Sequence, residues 1–285
     1  MKFGLALSGG GIKGISHLGV LKALEEYNIK PEIITGTSSG AIIAGLYSYG
    51  LSYKQIYNFF MNTNSNVIDI DYWGILRSLL SLKIPNGIVK GDKILNLLNN
   101  ITNKTNVKNI NKKKLAIVST NLKNGNDTIF TNADFDNFKN KIIVKDFLLS
   151  EAIRASMSFP IIFKPFVKNN NVFVDGGIVD NCPAGLCQAL GAEFIFISNM
   201  SLVNSNFNKE DNGINILSQI TTILVKEAYQ NDLNTSEVSS YTLNLDLKSL
   251  KIPIVSFDKK KLEEAFNYGY NQTKLILEKY KFNEL

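Results

Sequence analysis

The chain has 285 residues, 45% of them hydrophobic, 20% charged and 10% aromatic, and a net charge of +6. This is a globular composition, which excludes a disordered or collagen-like chain, and its two cysteines, Cys182 and Cys187, exclude a disulfide framework and read as thiols of a reducing compartment. The basic balance suits anionic membranes or nucleic acid through long-range attraction, but the charge is scattered, its densest runs at 112–114 and 259–261 read as solvated faces, and no nucleic-acid partner is expected.

Residues 2–7 are a short apolar run, read as a buried strand, and a glycine loop follows at 9–14. Leu18, Leu21, Ala23 and Leu24 give residues 15–27 helical spacing. A second strand covers 32–35, residues 36–40 turn, and 41–49 reads as a buried helix. That order predicts an α/β fold, a parallel sheet with helices on its faces. Residues 52–100 are less regular but rich in aromatic and aliphatic side chains, notably Tyr72, Trp73, Leu76, Leu79 and Leu80. They are expected to pack as core, or to line an acyl-chain channel or form a lid with Arg77 and Lys83 meeting lipid phosphates. Strands at 114–120 and 128–131 flank an Asn-Gly turn and predict a hairpin. A helix at 145–154, a strand at 171–174 running into Asp175, a helix at 184–190 and a buried strand at 193–198 follow. Helices are expected at 213–230 and 258–280, the second with Leu262, Phe266, Gly269 and Leu277 on one face. No repeat or linker divides the chain. Residues 1–285 are expected to form one domain, with a helical C-terminal part at about 213–285.

The first residues lack the pattern of a secretory leader, which predicts a cytoplasmic protein. Residues 33–53 carry no charge over a length that could span a bilayer, but the glycines and serines at 36–40 interrupt them. A buried strand, a tight turn and a buried helix explain them better, so any membrane contact is expected to be peripheral.

Three segments carry chemistry. Gly36-Thr37-Ser38-Ser39-Gly40 is a G-x-S-x-G pattern between a strand and a helix, the setting of a nucleophilic serine on a strained turn. Gly9-Gly10-Gly11-Ile12-Lys13-Gly14 also joins a strand to a helix. It matches a dinucleotide fingerprint in letters, but the second strand ends in Thr35 and the serine turn, where that reading needs an acid. Successive glycines expose backbone N–H groups, which suits an oxyanion loop from Gly9, Gly10, Gly11 and Ile12, with Lys13 adding positive charge or facing solvent. The single histidine, His17, sits in the body of the following helix and reads as structural. The base for Ser38 must then be a carboxylate. Asp175, at a strand end before Gly176 and Gly177, has the best setting; Asp134, Asp136, Asp146 and Asp180 compete on chemistry alone.

These motifs, in this order, resemble the patatin-like phospholipase family. The likeness lies in residues 8–14, in 36–40, in Asp175-Gly176-Gly177, in Ala155-Ser156-Met157-Ser158-Phe159-Pro160 and in Asn181-Cys182-Pro183-Ala184, and spans about residues 3–200. Thr120-Asn121 departs from the family, where an Asp often precedes the turn, but lies outside the motifs. The resemblance implies a three-layer α/β/α domain with a mostly parallel sheet and a Ser38–Asp175 dyad without histidine. It also implies an oxyanion hole from the glycine loop and hydrolysis of lipid acyl esters, as by a phospholipase A or lysophospholipase, without metal or cofactor. Gly14, Gly36, Gly40, Gly176 and Gly177 support those motifs. An acyltransferase using the same acyl-enzyme, and a non-catalytic lipid-binding protein, are the alternatives.

Overall fold

The computed structural model describes residues 1–81, 86–134, 141–200, 223, 239–247, 250 and 256–279. Among them the strands are β1 (Phe3–Leu7), β2 (Ile33–Thr37), β3 (Lys114–Asn121), β4 (Asp127–Thr131), β5 (Lys141–Val144), β6 (Phe166–Lys168), β7 (Asn171–Asp175), β8 (Phe194–Met200) and β9 (Ser240–Leu245). The helices are α1 (Ser16–Glu26), α2 (Ser39–Tyr49), α3 (Tyr53–Asn62), α4 (Tyr72–Leu80), α5 (Asp92–Ile101), α6 (Leu149–Ser156), α7 (Ala184–Ala189) and α8 (Lys259–Lys279).

The sheet runs β5-β4-β3-β2-β1-β8-β9. From β3 through β2, β1 and β8 to β9 every pairing is parallel, as is β4 with β5, while β3 pairs antiparallel with β4 and β7. Strand periodicity divides the apolar side chains between two faces. Leu5, Leu7, Ile34, Leu115, Ile117 and Phe196 point to one core with residues of α1, α2, α6 and α8. Ala6, Ile33, Ala116, Val118, Ile195 and Ile197 point to the other, against Leu186 and Cys187 of α7. Burial on both faces explains why these strands read as continuous apolar runs. The result is the expected three-layer arrangement with a mostly parallel sheet.

One pairing positions the site. β2 follows the edge of β3 as far as Thr37 opposite Val118. β4 occupies the other edge of β3 through Thr120. From Ser119 onward β7 takes over the edge that β2 leaves, with Asp175 opposite Ser119. The C-terminal ends of β2 and β7 therefore meet head to head on β3.

The predicted hairpin at 114–131 is β3–β4. The helix expected from 145 begins only at Leu149, and the Ile-Ile-Val run before it is strand β5, as β-branched residues favour. The described residues of 52–100 hold the α-helices α3, α4 and most of α5. Leu262, Phe266, Gly269 and Leu277 of α8 are buried as predicted, whereas of the helix expected at 213–230 only Ile223, which is helical, is among the described residues. Residues 33–53 are β2, a turn, α2 and the first residue of α3; among the described residues no helix is long and apolar enough to cross a membrane.

Candidate active site

Ser38 stands alone between β2 and α2 with φ +54° and ψ −119°, a conformation that costs a non-glycine residue about 1–3 kcal/mol. Its surroundings enforce the turn. A Cβ on Gly36 would lie 2.5 Å from the Gly40 carbonyl oxygen, and one on Gly40 would lie 2.3 Å from that of Leu7. Only glycine lets β1, β2 and α2 close this tightly. The Ser38 N–H donates to Ser156 Oγ at the end of α6, 2.8 Å away, which locks the elbow to a second helix.

Asp175 ends β7, with its N–H donating to the Ser158 carbonyl (3.0 Å) and its own carbonyl accepting from Thr120 Oγ1 (3.0 Å). The carboxylate is 3% exposed. Oδ1 accepts the Gly177 N–H at 2.8 Å, and Oδ2 is sealed from solvent with no partner of full hydrogen-bond geometry. Burial pushes the carboxyl up to about 6, against the lowering pull of the Gly177 N–H and the Ser38 hydroxyl.

The glycine loop packs on the serine. A Cβ on Gly9 would lie 3.1 Å from Ser38 Cβ and 2.6 Å from Asn181 Oδ1. The Gly9 N–H is already bonded to the Asn181 carbonyl (3.0 Å), so Gly9 fixes the loop and is not an available donor, contrary to its expected place in the oxyanion set. Gly11–Ile15 is a 3-10 turn, and the first amides of such a turn have no partner within it. The loop is tied down from behind by His17, whose Nε2 lies 2.9 Å from the Ser8 carbonyl and Nδ1 2.8 Å from Ser198 Oγ. A carbonyl only accepts, so Nε2 carries the proton and Nδ1 accepts from the Ser198 hydroxyl. Burial lowers the His17 pKa to about 4, so the ring is neutral with both nitrogens used. His17 is structural, as its place in the helix predicted.

Comparison with known proteins gives the chain's family and fold. The model of the patatin-like phospholipase family matches residues 5–187. The chain belongs to that family. It is 26% identical to lysophospholipase NTE1 of Meyerozyma guilliermondii over 94% of this chain and 18% of that protein. The chain thus spans less than a fifth of the length of such lysophospholipase relatives. An uncharacterized protein of Acanthamoeba polyphaga mimivirus is 27% identical over 86% of this chain and 87% of its own length. The crystal structure of VipD from Legionella pneumophila shares the fold, with a TM-score of 0.52 at 17% identity over 97% of this chain and 66% of that one.

In this patatin-like chain, Ser38, Asp175 and residues 9–13 share one cavity of about 200 Å³. Its wall is largely apolar, with Phe59, Phe60, Ile68, Leu97, Ile162 and Phe163 among the lining, and among the described residues the charged side chains on it are Lys13 and Asp175. Such a wall accepts a hydrocarbon chain and rejects a polar one. Among the described side chains α4 supplies none of that wall: Tyr72, Trp73, Leu76 and Leu80 are exposed, which corrects both their reading as core and their reading as channel lining, while the Leu79 side chain lies outside the described residues. Lys83 lies outside the described residues. Among the described residues the competing acids fall away. Asp134 pairs with Lys145 and Asp146 with Lys108 in solvent, Asp180 is absent from the cavity wall, and Asp136 lies outside the described residues.

Sequence reasoning missed the braces. Ser156 and Ser158 were noted only as part of a motif, yet one holds the Ser38 amide and the other the Asp175 amide. Arg154, 2% exposed, donates to the carbonyls of Lys90, Gly91 and Lys164 and to Ser158 Oγ. Its burial lowers the guanidinium pKa to about 10. The available signal was a charged residue at core-facing helical spacing beside Ile153.

Proposed function

We propose that this chain is a serine acyl hydrolase that cleaves a carboxylic ester of a lipid through Ser38 and Asp175. The observation that carries the reading is the head-to-head meeting of β2 and β7 on β3, which brings the buried Asp175 carboxylate to the strained Ser38. Ser38 Oγ attacks the ester carbonyl and its proton passes to Asp175 Oδ2. The amides of Gly10, Gly11 and Ile12 receive the oxyanion, each donor contributing about 2.7–4 kcal/mol to the transition state. The ester C–O bond breaks, Asp175 returns the proton to the leaving alkoxide, and the acyl group stays on Ser38. Water then attacks the acyl-enzyme, giving its proton to Asp175, and the fatty acid leaves as Ser38 recovers its hydrogen.

A carboxylate of ordinary pKa is a weak base for this work. Burial offsets that by raising Asp175 toward the working pH. The apolar cavity supports a long acyl chain, and the likeness to proteins named lysophospholipase NTE1 supports a single-chain lysophospholipid as the first substrate to try. Such a substrate is presented by a membrane, which the chain meets peripherally as one domain. Cys182 and Cys187, buried and not in a disulfide, suit a reducing, cytoplasmic setting.

The test is release of fatty acid from a lysophospholipid by wild type, Ser38→Ala and Asp175→Asn, with an acceptor alcohol in a parallel assay. Wild-type release lost in both variants supports the reading. Fatty-acid release by Ser38→Ala at the wild-type rate contradicts it, and transfer to the alcohol in preference to water makes the chain an acyltransferase.

A further inference from the structure

α4 reverses the usual pattern of a surface helix. At 100° per residue, Tyr72, Leu76, Leu80 and Trp73 fall within an arc of about 100°, and Arg77 borders it. Those four apolar side chains are 72%, 46%, 80% and 77% exposed, while Gly74, Ile75 and Ser78 on the other side are half-buried. A contiguous apolar face turned outward marks a contact surface.

The helix is held rigidly to the wall of the cavity. The Asp71 N–H donates to the Ile88 carbonyl (2.8 Å), Ile70 bridges to Val89, and Val89 bridges to Phe163, which lines the cavity. The Asp71 carboxylate, 6% exposed, pairs with Lys164. Charge selects the partner. From residue 72 to residue 91 the sequence carries Arg77, Lys83 and Lys90 and no Asp or Glu. Tyr and Trp at one end of a Leu-faced helix bordered by Arg77 are the composition of a helix lying in a lipid interface. A nine-residue helix is about 14 Å long, far too short to supply the roughly 800 Å² per partner of a stable protein interface.

We propose that the Tyr72–Trp73–Leu76–Leu80 face of α4 seats in the headgroup boundary of an anionic lipid surface and holds the cavity against it. This rests on the reading of the substrate as a lipid ester. Trp73 is the sole tryptophan of the chain, so its fluorescence reports this face alone. The experiment titrates the protein with vesicles of non-hydrolysable ether-linked phosphatidylcholine, with and without one part in about three of the phosphatidylglycerol analogue. The expected result is a blue shift of Trp73 emission and quenching by bromine-labelled acyl chains on the anionic vesicles, weakening with salt. The double variant Leu76→Asp, Leu80→Asp is expected to bind those vesicles at least tenfold more weakly. It is expected to lose turnover of vesicle-borne ester and to hydrolyse a monomeric water-soluble ester at the wild-type rate. Unchanged Trp73 emission with both vesicles, or wild-type vesicle binding by the double variant, overturns the proposal. So does a lipid-free dimer in sedimentation that the double variant abolishes, which assigns the face to a second copy. Absence of any ester turnover with vesicle binding intact sinks the hydrolase reading and leaves the surface standing.

Discussion

Replacing Asp175 with Asn removes a charge that the fold holds at a cost. The carboxyl sits at about 6 in the native state against 3.8 for the same group in water. At 1.36 kcal/mol for each tenfold change in acidity, that difference is about 3 kcal/mol of stability lost at neutral pH. The sign follows from the direction of the shift. Between 3.8 and 6 the native state holds a proton that the unfolded chain has released, so the Asp175 contribution falls as pH rises through that window. Asp175→Asn keeps an acceptor for the Gly177 N–H and carries no charge. It is therefore expected to be more stable than wild type by about 3 kcal/mol at pH 7 and by less than about 1 kcal/mol at pH 4. With an unfolding entropy of about 2.1 cal/mol/K per residue over 285 residues, the pH 7 gain is about 5 °C in Tm. His17, held neutral with its pKa near 4, weakens both proteins alike on acidification and cancels in the difference. Urea unfolding of the two proteins from pH 4 to pH 8 reads the quantity directly. A variant no more stable than wild type at pH 7, or a gain that does not change with pH, would refute the burial of an uncompensated carboxylate at this position.

Activity is expected to rise with pH through about 6, because Asp175 accepts a proton only when ionised. That midpoint falls close to the ordinary histidine value, so a pH profile alone does not separate the two bases; His17→Gln must leave the midpoint in place while lowering stability. Ser38→Gly should be more stable than Ser38→Ala by about 1–2 kcal/mol in thermal unfolding, since only glycine relieves the φ of +54°. Gly9→Ala forces a methyl to within 2.6 Å of Asn181 Oδ1 and shifts the loop from Ser38; kcat is expected to drop about 10²–10³-fold with the fold intact by circular dichroism.

The serine turn and the glycine loop were legible because their constraints are local: a strand, a glycine spacing and a helix start specify a backbone shape within a few residues. Asp175 was legible as a residue type at a strand end but not as the neighbour of Ser38, since β7 reaches β3 across more than fifty residues. Ser156 was hidden by a separation of 118 residues from Ser38, and Arg154 by carbonyl partners at Gly91 and Lys90, 63 and 64 residues away. The Gly9 N–H was misassigned because the Asn181 carbonyl that occupies it arrives from the far side of the motif. α4 failed for a different reason. Periodicity says which side of a helix is apolar, and the inference that this side faces inward rests on burial, which only the fold reveals.

The central claim is that Ser38 is made nucleophilic by Asp175. Labelling with a fluorophosphonate, with the modified peptide mapped by mass spectrometry, tests it most directly in wild type, Ser38→Ala and Asp175→Asn. The account predicts modification at Ser38 in wild type, none in Ser38→Ala, and a rate at least a hundredfold lower in folded Asp175→Asn. Labelling of another residue, or of Ser38 at an undiminished rate without the Asp175 carboxylate, would contradict it.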